Sequence, residues 1–141
     1  MPAFNAPPPS EEEAERASNA YLMSLVGLGS GMFLPIMNLI ATFIFFLTNR
    51  NHSYFVRWHC TQALLSQLSV LPLNSLALWW SVSIAFGPRT LTNEYIAYLL
   101  TALIYNLLEF AATTFAAIRT RRAQHVSWFA FGHLTDALVR Q

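Results

Sequence analysis

The chain has 141 residues, 55% of them hydrophobic and 11% charged, with a mean hydropathy of +0.39. Soluble domains carry about a quarter charged residues, so this balance weighs against a soluble domain, and a net charge of +1 gives no case for a nucleic-acid partner. The single cysteine, Cys60, excludes an internal disulfide framework.

Residues 1–9, MPAFNAPPP, read as an extended arm. The arm is Pro-rich and acidic further on, unlike the basic start of a signal peptide, and is expected to stay on the side of synthesis. Ser10 and Glu13 have the spacing of a capping box, and Glu11 to Glu13 lie where the helix dipole favours anions. A helix is therefore predicted from Glu11, in water, entering a membrane near Asn19.

The apolar run from Tyr21 to Thr48 poses the main question of topology. Gly27, Gly29 and Gly31 weaken a helix, Leu34 precedes a proline, and Pro35 suits the first turn of a new helix. A second helix from Pro35 to Thr48 spans only about 21 Å at 1.5 Å per residue, short of a hydrocarbon core of about 30 Å. Length thus favours one crossing and local chemistry favours two. Arginine placement decides between them. With two crossings, Arg16, Arg50, Arg57, Arg119, Arg121, Arg122 and Arg140 share one face and only Arg89 lies opposite, as the positive-inside rule requires. The expectation is a tight hairpin with its turn at Gly31 to Pro35. Gly27 and Gly31 also form a small-xxx-small pair suited to close helix contact.

No charged residue occurs from Cys60 to Gly87, and Glu109 alone from Tyr95 to Ile118. These runs read as two further transmembrane helices, about Trp58–Phe86 and about Glu94–Ile118. Pro72 predicts a kink in the first. Trp79, Trp80, Tyr95 and Tyr98 mark an aromatic belt at the outer interface and Trp58 one at the inner. After the Arg119, Arg121 and Arg122 cluster, Ser127 is expected to cap a short helix with Phe131, Leu134 and Leu138 on one face, lying in the interface. The predicted fold class is an all-α integral membrane protein with four transmembrane helices, the first two a tight hairpin, plus a short C-terminal interfacial helix. Its parts are an arm and helix start at 1–18, a transmembrane domain at 19–119, and a basic turn with the interfacial helix at 120–141.

Four features in order carry a family resemblance: LPIMN in the apolar turn, SYFVRWHCTQALLSQLSV after a polar loop, FAAIRTRRA at the end of the last long helix, and FGHLTDAL in the tail. Over residues 19–139 the chain resembles a family of small bacterial four-helix membrane proteins grouped with the twenty-kilodalton subunit of the chloroplast Tic protein-import translocon. The most specific element is the set Phe55, Val56, His59, Gln62, Ala63, Leu64 and Gln67, with Pro35 and Asn38 fitting as well. The resemblance implies four helices, both termini inside, and a place in a membrane assembly that handles proteins. The chain departs from that family in having RRAQHVS where a glycine turn is usual, and in carrying Glu109.

Glu109 is the sharpest candidate for a functional site, because an ionised carboxylate inside a membrane is costly. Tyr105, Asn106 and Thr113 share its face, and Asn38, Asn74 and Gln67 are candidate partners across the bundle. It reads either as an ion- or proton-handling group or, more simply, as a hydrogen-bonded carboxyl joining helices. His59 reads as a polar anchor at the headgroup level or a loop-ordering contact. His52, His59 and Cys60 match no zinc spacing. With no nucleophile triad, phosphate loop or paired carboxylates, the sequence points to a non-enzymatic inner-membrane protein without a cofactor. It is expected to be multi-pass, with both termini cytoplasmic and the lipid bilayer and a larger membrane complex as partners. The alternatives are a homo-oligomeric channel or transporter around the Glu109 face, and an anchor whose acidic arm recruits a soluble partner.

Overall fold

The structure is a computed structural model that describes residues 7–26, 35–128 and 131–139. Helix α1 spans Glu11–Val26, α2 Pro35–Asn49, α3 Tyr54–Ala85, α4 Asn93–Arg121 and α5 Gly132–Leu138. Among the described residues there is no strand.

The start of α1 is fixed by a reciprocal capping box. The Ser10 amide donates to Glu13 Oε2 at 2.9 Å, and the Glu13 amide donates to Ser10 Oγ at 3.2 Å. The nearby Ser53 hydroxyl and the hydrogen bond from the Ser10 amide hold the Glu13 carboxyl below its ordinary pKa. Ala14, Ala17, Ser18, Tyr21 and Ser24 recur at helical spacing and are all buried. This small-residue face lets α1 approach α4, where Ala116 and Ala117 are buried in turn. Ser18 Oγ donates to the Ala117 carbonyl at 2.9 Å across that contact.

The long apolar run does not form one helix. A new helix starts at Pro35, and α2 packs beside α1. The two are antiparallel, with the start of α1 beside the end of α2. Arg16 Nη1 also meets His52 Nε2, beyond the end of α2, at 3.4 Å. The predicted turn residue Gly31, with Gly27 and Gly29, lies outside the described residues.

Helix α3 has 32 residues and runs on through Pro72, and α4 has 29, so each rises more than about 40 Å. Both are long and apolar enough to cross a membrane, and only 6% and 11% of their most apolar stretches are buried. A core helix of a soluble protein would be largely covered. Helices α1 and α2, at 16 and 15 residues, do not reach that length within the described residues. Two of the four expected spans thus stand on length, with α2 as a shorter apolar helix.

At the end of α4 the backbone turns through Ala123, whose φ is 57°. The Gln124 amide donates to the Arg119 carbonyl at 3.1 Å and the Ala123 amide to that of Thr120 at 2.9 Å. This is a Schellman turn with alanine in the left-handed position that glycine normally fills. The tail then passes back under the bundle to α5, which packs on α3. Phe131, not Ser127, precedes α5 as its N-cap, and no side chain caps it. Ser127 instead packs against Gly132, where a Cβ would strike its Oγ. Leu134 and Leu138 face outward while Gly132 and Thr135 are buried against the bundle.

Candidate functional site

Two polar assemblies are built into the helices. The first lies at the arginine-rich end, where α1, the start of α3 and the returning tail meet. Trp128 stacks on Tyr21 with ring centroids 6.2 Å apart. The Trp128 backbone amide donates to Gln62 Oε1 at 3.0 Å, which fixes the orientation of the Gln62 amide. Gln62 Nε2 therefore donates to the Val126 carbonyl at 3.1 Å and to Tyr21 Oη at 2.8 Å. The Tyr21 hydroxyl also hydrogen-bonds His59 Nδ1 at 2.8 Å. The other ring nitrogen, His59 Nε2, is buried and has no hydrogen-bond partner among the described residues. Its ring is boxed by Phe55, Trp58 and His125, with centroids at 4.6, 5.0 and 5.1 Å.

Of the residues singled out in the loop motif, Phe55, His59 and Gln62 are all buried, the last two completely. His59 is not a headgroup anchor; it belongs to the core that ties the tail to α1. Trp58 is not an interface marker either. It is wholly buried, and its Nε1 donates to Asp136 Oδ1 at 2.7 Å. Tyr21, His125, Trp128 and Asp136 escaped the sequence reading because their meeting depends on the tail folding back. One signal was available: Asp136 is the sole aspartate of the chain, set in a tail rich in aromatic and apolar residues. His125 packs on Trp58 with centroids 4.1 Å apart. Burial lowers its pKa from the ordinary value, with Asp136 pulling the other way. The arrangement is closed, with His59 and Gln62 wholly buried, which suits a structural joint.

The second assembly runs along the α3–α4 seam. Glu109 Oε1 accepts three hydrogen bonds, from Ser66 Oγ at 2.7 Å, Gln67 Nε2 at 3.0 Å and Thr113 Oγ1 at 2.9 Å. Farther along, Asn74 and Asn106 exchange bonds reciprocally at 2.9 and 2.7 Å. Ser69 meets Tyr105 at 2.9 Å and Ser81 meets Tyr95 at 2.8 Å. Tyr98 Oη donates to the Leu73 carbonyl at 2.8 Å. The seam brings Glu109 together with Gln67, and Asn74 with Asn106, as two separate groups. Asn38 lies on α2; its Oδ1 is buried and accepts no hydrogen bond among the described residues. Ser66, which the sequence reading passed over, gives the shortest of the bonds to Glu109.

The outer end carries the predicted aromatics. Trp80 lies 5.7 Å from Tyr95 and 5.9 Å from Tyr98 between centroids, and the Arg89 guanidinium sits 4.6 Å over the Trp79 ring. Among the described residues no cluster of histidine, cysteine and carboxylates is arranged to hold a metal.

No curated protein and no solved structure matches this chain. A family profile does match, over residues 15–132, from the first turns of α1 to the start of α5. That stretch contains the seam assembly, the whole loop motif and all of the first assembly but Asp136. The resemblance read from the motif holds at the level of a small membrane-protein family, but its link to the Tic subunit finds no support in this match. By the extent of the match, the chain belongs to the magnetosome magnetite crystal formation protein family.

Proposed function

We propose that the protein is a non-enzymatic, membrane-embedded component of magnetite crystal formation. The observation that carries this reading is the family match across nearly the whole helical bundle. In this reading α1 to α4 all cross the bilayer, both termini are cytoplasmic, and α5 lies in the interface. The antiparallel order supports it. The start of α1, the 50–53 loop and the end of α4 lie at one end, tied by the Arg16–His52 contact and an Arg121–Glu15 pair at 3.3 Å. That end holds Arg16, Arg50, Arg57, Arg119, Arg121 and Arg122, and Arg89 lies at the other. The division into arm, transmembrane domain and interfacial tail follows the same topology.

The protein acts as a member of a larger membrane assembly, through helix faces and not through chemistry. A channel built around Glu109 is the alternative. The three donors converging on its Oε1 from within one chain favour a joint between helices. A role in protein translocation would rest on the Tic resemblance alone, and the magnetite family points elsewhere.

Deletion of the gene in a magnetite-forming bacterium should alter crystal size or number by electron microscopy, and the intact chain should restore them. Unchanged crystals would sink the reading. A mild-detergent pull-down should recover a large hetero-complex; a lone multimer whose flux changes in Glu109→Gln would favour the channel. For topology, Pro8→Cys and Asn51→Cys in a Cys60→Ala background should label from one side of the membrane, and Leu91→Cys from the other.

A further inference from the structure

The arginines at the arginine-rich end differ in what they meet. Arg16 pairs with Glu12 at 2.9 Å and Arg121 with Glu15 at 3.3 Å, so each has its own counter-charge. Arg119 and Arg122, one turn apart at the end of α4, are both exposed and meet no carboxylate among the described residues. Arg119 Nη1 donates to the neutral Gln124 Oε1 at 2.8 Å, and its guanidinium lies 5.1 Å over the Phe115 ring. These contacts hold the charged head of Arg119 beside the apolar part of the helix.

A continuous apolar face leads to these two arginines. Ile104, Leu108, Ala111, Phe115 and Ile118 follow one another at three or four residues and are all exposed. They lie opposite Thr113, Ala116, Ala117 and Thr120, which are buried against the bundle. From Ile104 to Ile118 the stripe rises about 21 Å, more than one leaflet of a hydrocarbon core about 30 Å thick. Arg119 and Arg122 continue it at the same spacing. The end of the helix does not oppose an anion there, because the Arg119 and Thr120 carbonyls are taken up by the amides of Gln124 and Ala123.

We propose that this end of α4 binds one molecule of an anionic phospholipid of the phosphatidylglycerol type, its phosphate held between Arg119 and Arg122 and one acyl chain laid along Phe115, Ala111 and Leu108. A guanidinium offers a phosphate two parallel N–H donors, and the small Ala111 leaves room for the chain between two larger side chains. Net charge selects the lipid. Two cations without a counter-charge favour a headgroup with a net negative charge. Phosphatidylethanolamine and phosphatidylcholine bring the same phosphate together with a cationic group that the second arginine repels. The stripe selects a lipid over a free phosphate, since an inorganic ion leaves the apolar face unused. The site rests on α4 crossing the bilayer, as in the topology above, and not on a role in magnetite formation.

The full chain, purified in mild detergent, should be offered equimolar phosphatidylglycerol, phosphatidylethanolamine and phosphatidylcholine of matched chains and examined by native mass spectrometry. One bound phosphatidylglycerol should dominate by about tenfold over either competitor, equivalent to about 1.4 kcal/mol. Arg119→Gln with Arg122→Gln should erase the preference. Arg50→Gln with Arg89→Gln removes the same charge elsewhere and should keep it. All four side chains are exposed, so circular dichroism should match the parent in both variants. Inorganic phosphate at the concentration of the lipid should not displace it. Equal retention of the three lipids, equal loss in the two double variants, or displacement by inorganic phosphate would each overturn the proposal. Labelling of Leu91→Cys separates the site from the topology: opposite-side labelling with equal lipid retention removes the site and keeps the crossing.

Discussion

The two halves of the bundle are held together by different means. Every buried residue of α3 lies between Phe55 and Val70, and none lies beyond. Four of the five buried residues of α4 fall between Thr113 and Thr120. In that basal half α1, α2 and the tail close around α3 and α4, and the core includes Tyr21, Val56, Trp58 and His59. In the outer half of α3, large apolar side chains such as Leu76, Trp79 and Val82 are exposed, and polar pairs on the seam join it to α4. Where partners surround a helix, shape and burial fix its position. Where lipid surrounds it, apolar side chains gain nothing by leaving one apolar phase for another, and hydrogen bonds between helices set the register.

The sharpest way to test this contrast is to remove one tryptophan from each half. Trp58→Ala empties a fully buried site and frees Asp136, and should cost about 3–5 kcal/mol. Trp79→Ala, at a position 55% exposed, should stay within about 0.5 kcal/mol. Thermal unfolding in detergent, with proteolysis of the tail as a second readout, compares them; equal losses would abolish the distinction.

Glu109 tests the boundary between the halves. Glu109→Leu leaves the donors of Ser66, Gln67 and Thr113 without their acceptor, at about 1–3 kcal/mol. Glu109→Gln keeps an acceptor and should lose less. If the two variants melt together, the carboxylate is not a joint.

The turn that returns the tail to the basal half is strained. Ala123 holds a φ of 57°, and Ala123→Gly should stabilise the chain by about 1 kcal/mol. A lower melting temperature in this variant would contradict the geometry.

In the outer half, a double-mutant cycle on Asn74→Leu and Asn106→Leu should give a coupling of about 0.6 kcal/mol, the size typical of such bonds in lipid. Additive losses would mean that the pair does not set the register.

The smallest effect is one of pH on the basal half. His125 is exposed on one side and packed on Trp58 by its ring; His59 and Asp136 are its titratable neighbours. Its pKa is lowered from 6.5, chiefly by burial. Below 6.5 the undocked tail therefore binds more protons than the docked one, and docking weakens as pH falls toward the lowered value. Hydrogen exchange at the Trp128 amide should be faster at about pH 5.5 than at about pH 7.5 after correction for intrinsic rates. His125→Phe should remove the difference.

Local chemistry was enough to read much of this from the chain. Ser10 and Glu13 start α1, Pro35 starts α2, and the uncharged stretch of α3 and the nearly uncharged Tyr95–Ile118 stretch of α4 announce two long apolar helices, because caps, proline and apolar runs act within a few residues of themselves. Glu109 was legible as costly, and Gln67 as a partner, from composition and spacing. The sequence could not show that Trp58 and His59 are core instead of interface, since an aromatic residue at a helix end fits both settings until the neighbouring chain is placed. Nor could it pair Gln62 with the backbone of Val126 and Trp128, 64 and 66 residues away, or leave Asn38 outside the Glu109 group. Those outcomes depend on where the tail turns and which helices become neighbours. Tertiary packing alone decides that, because a buried polar atom takes whichever partner the surrounding helices bring within reach.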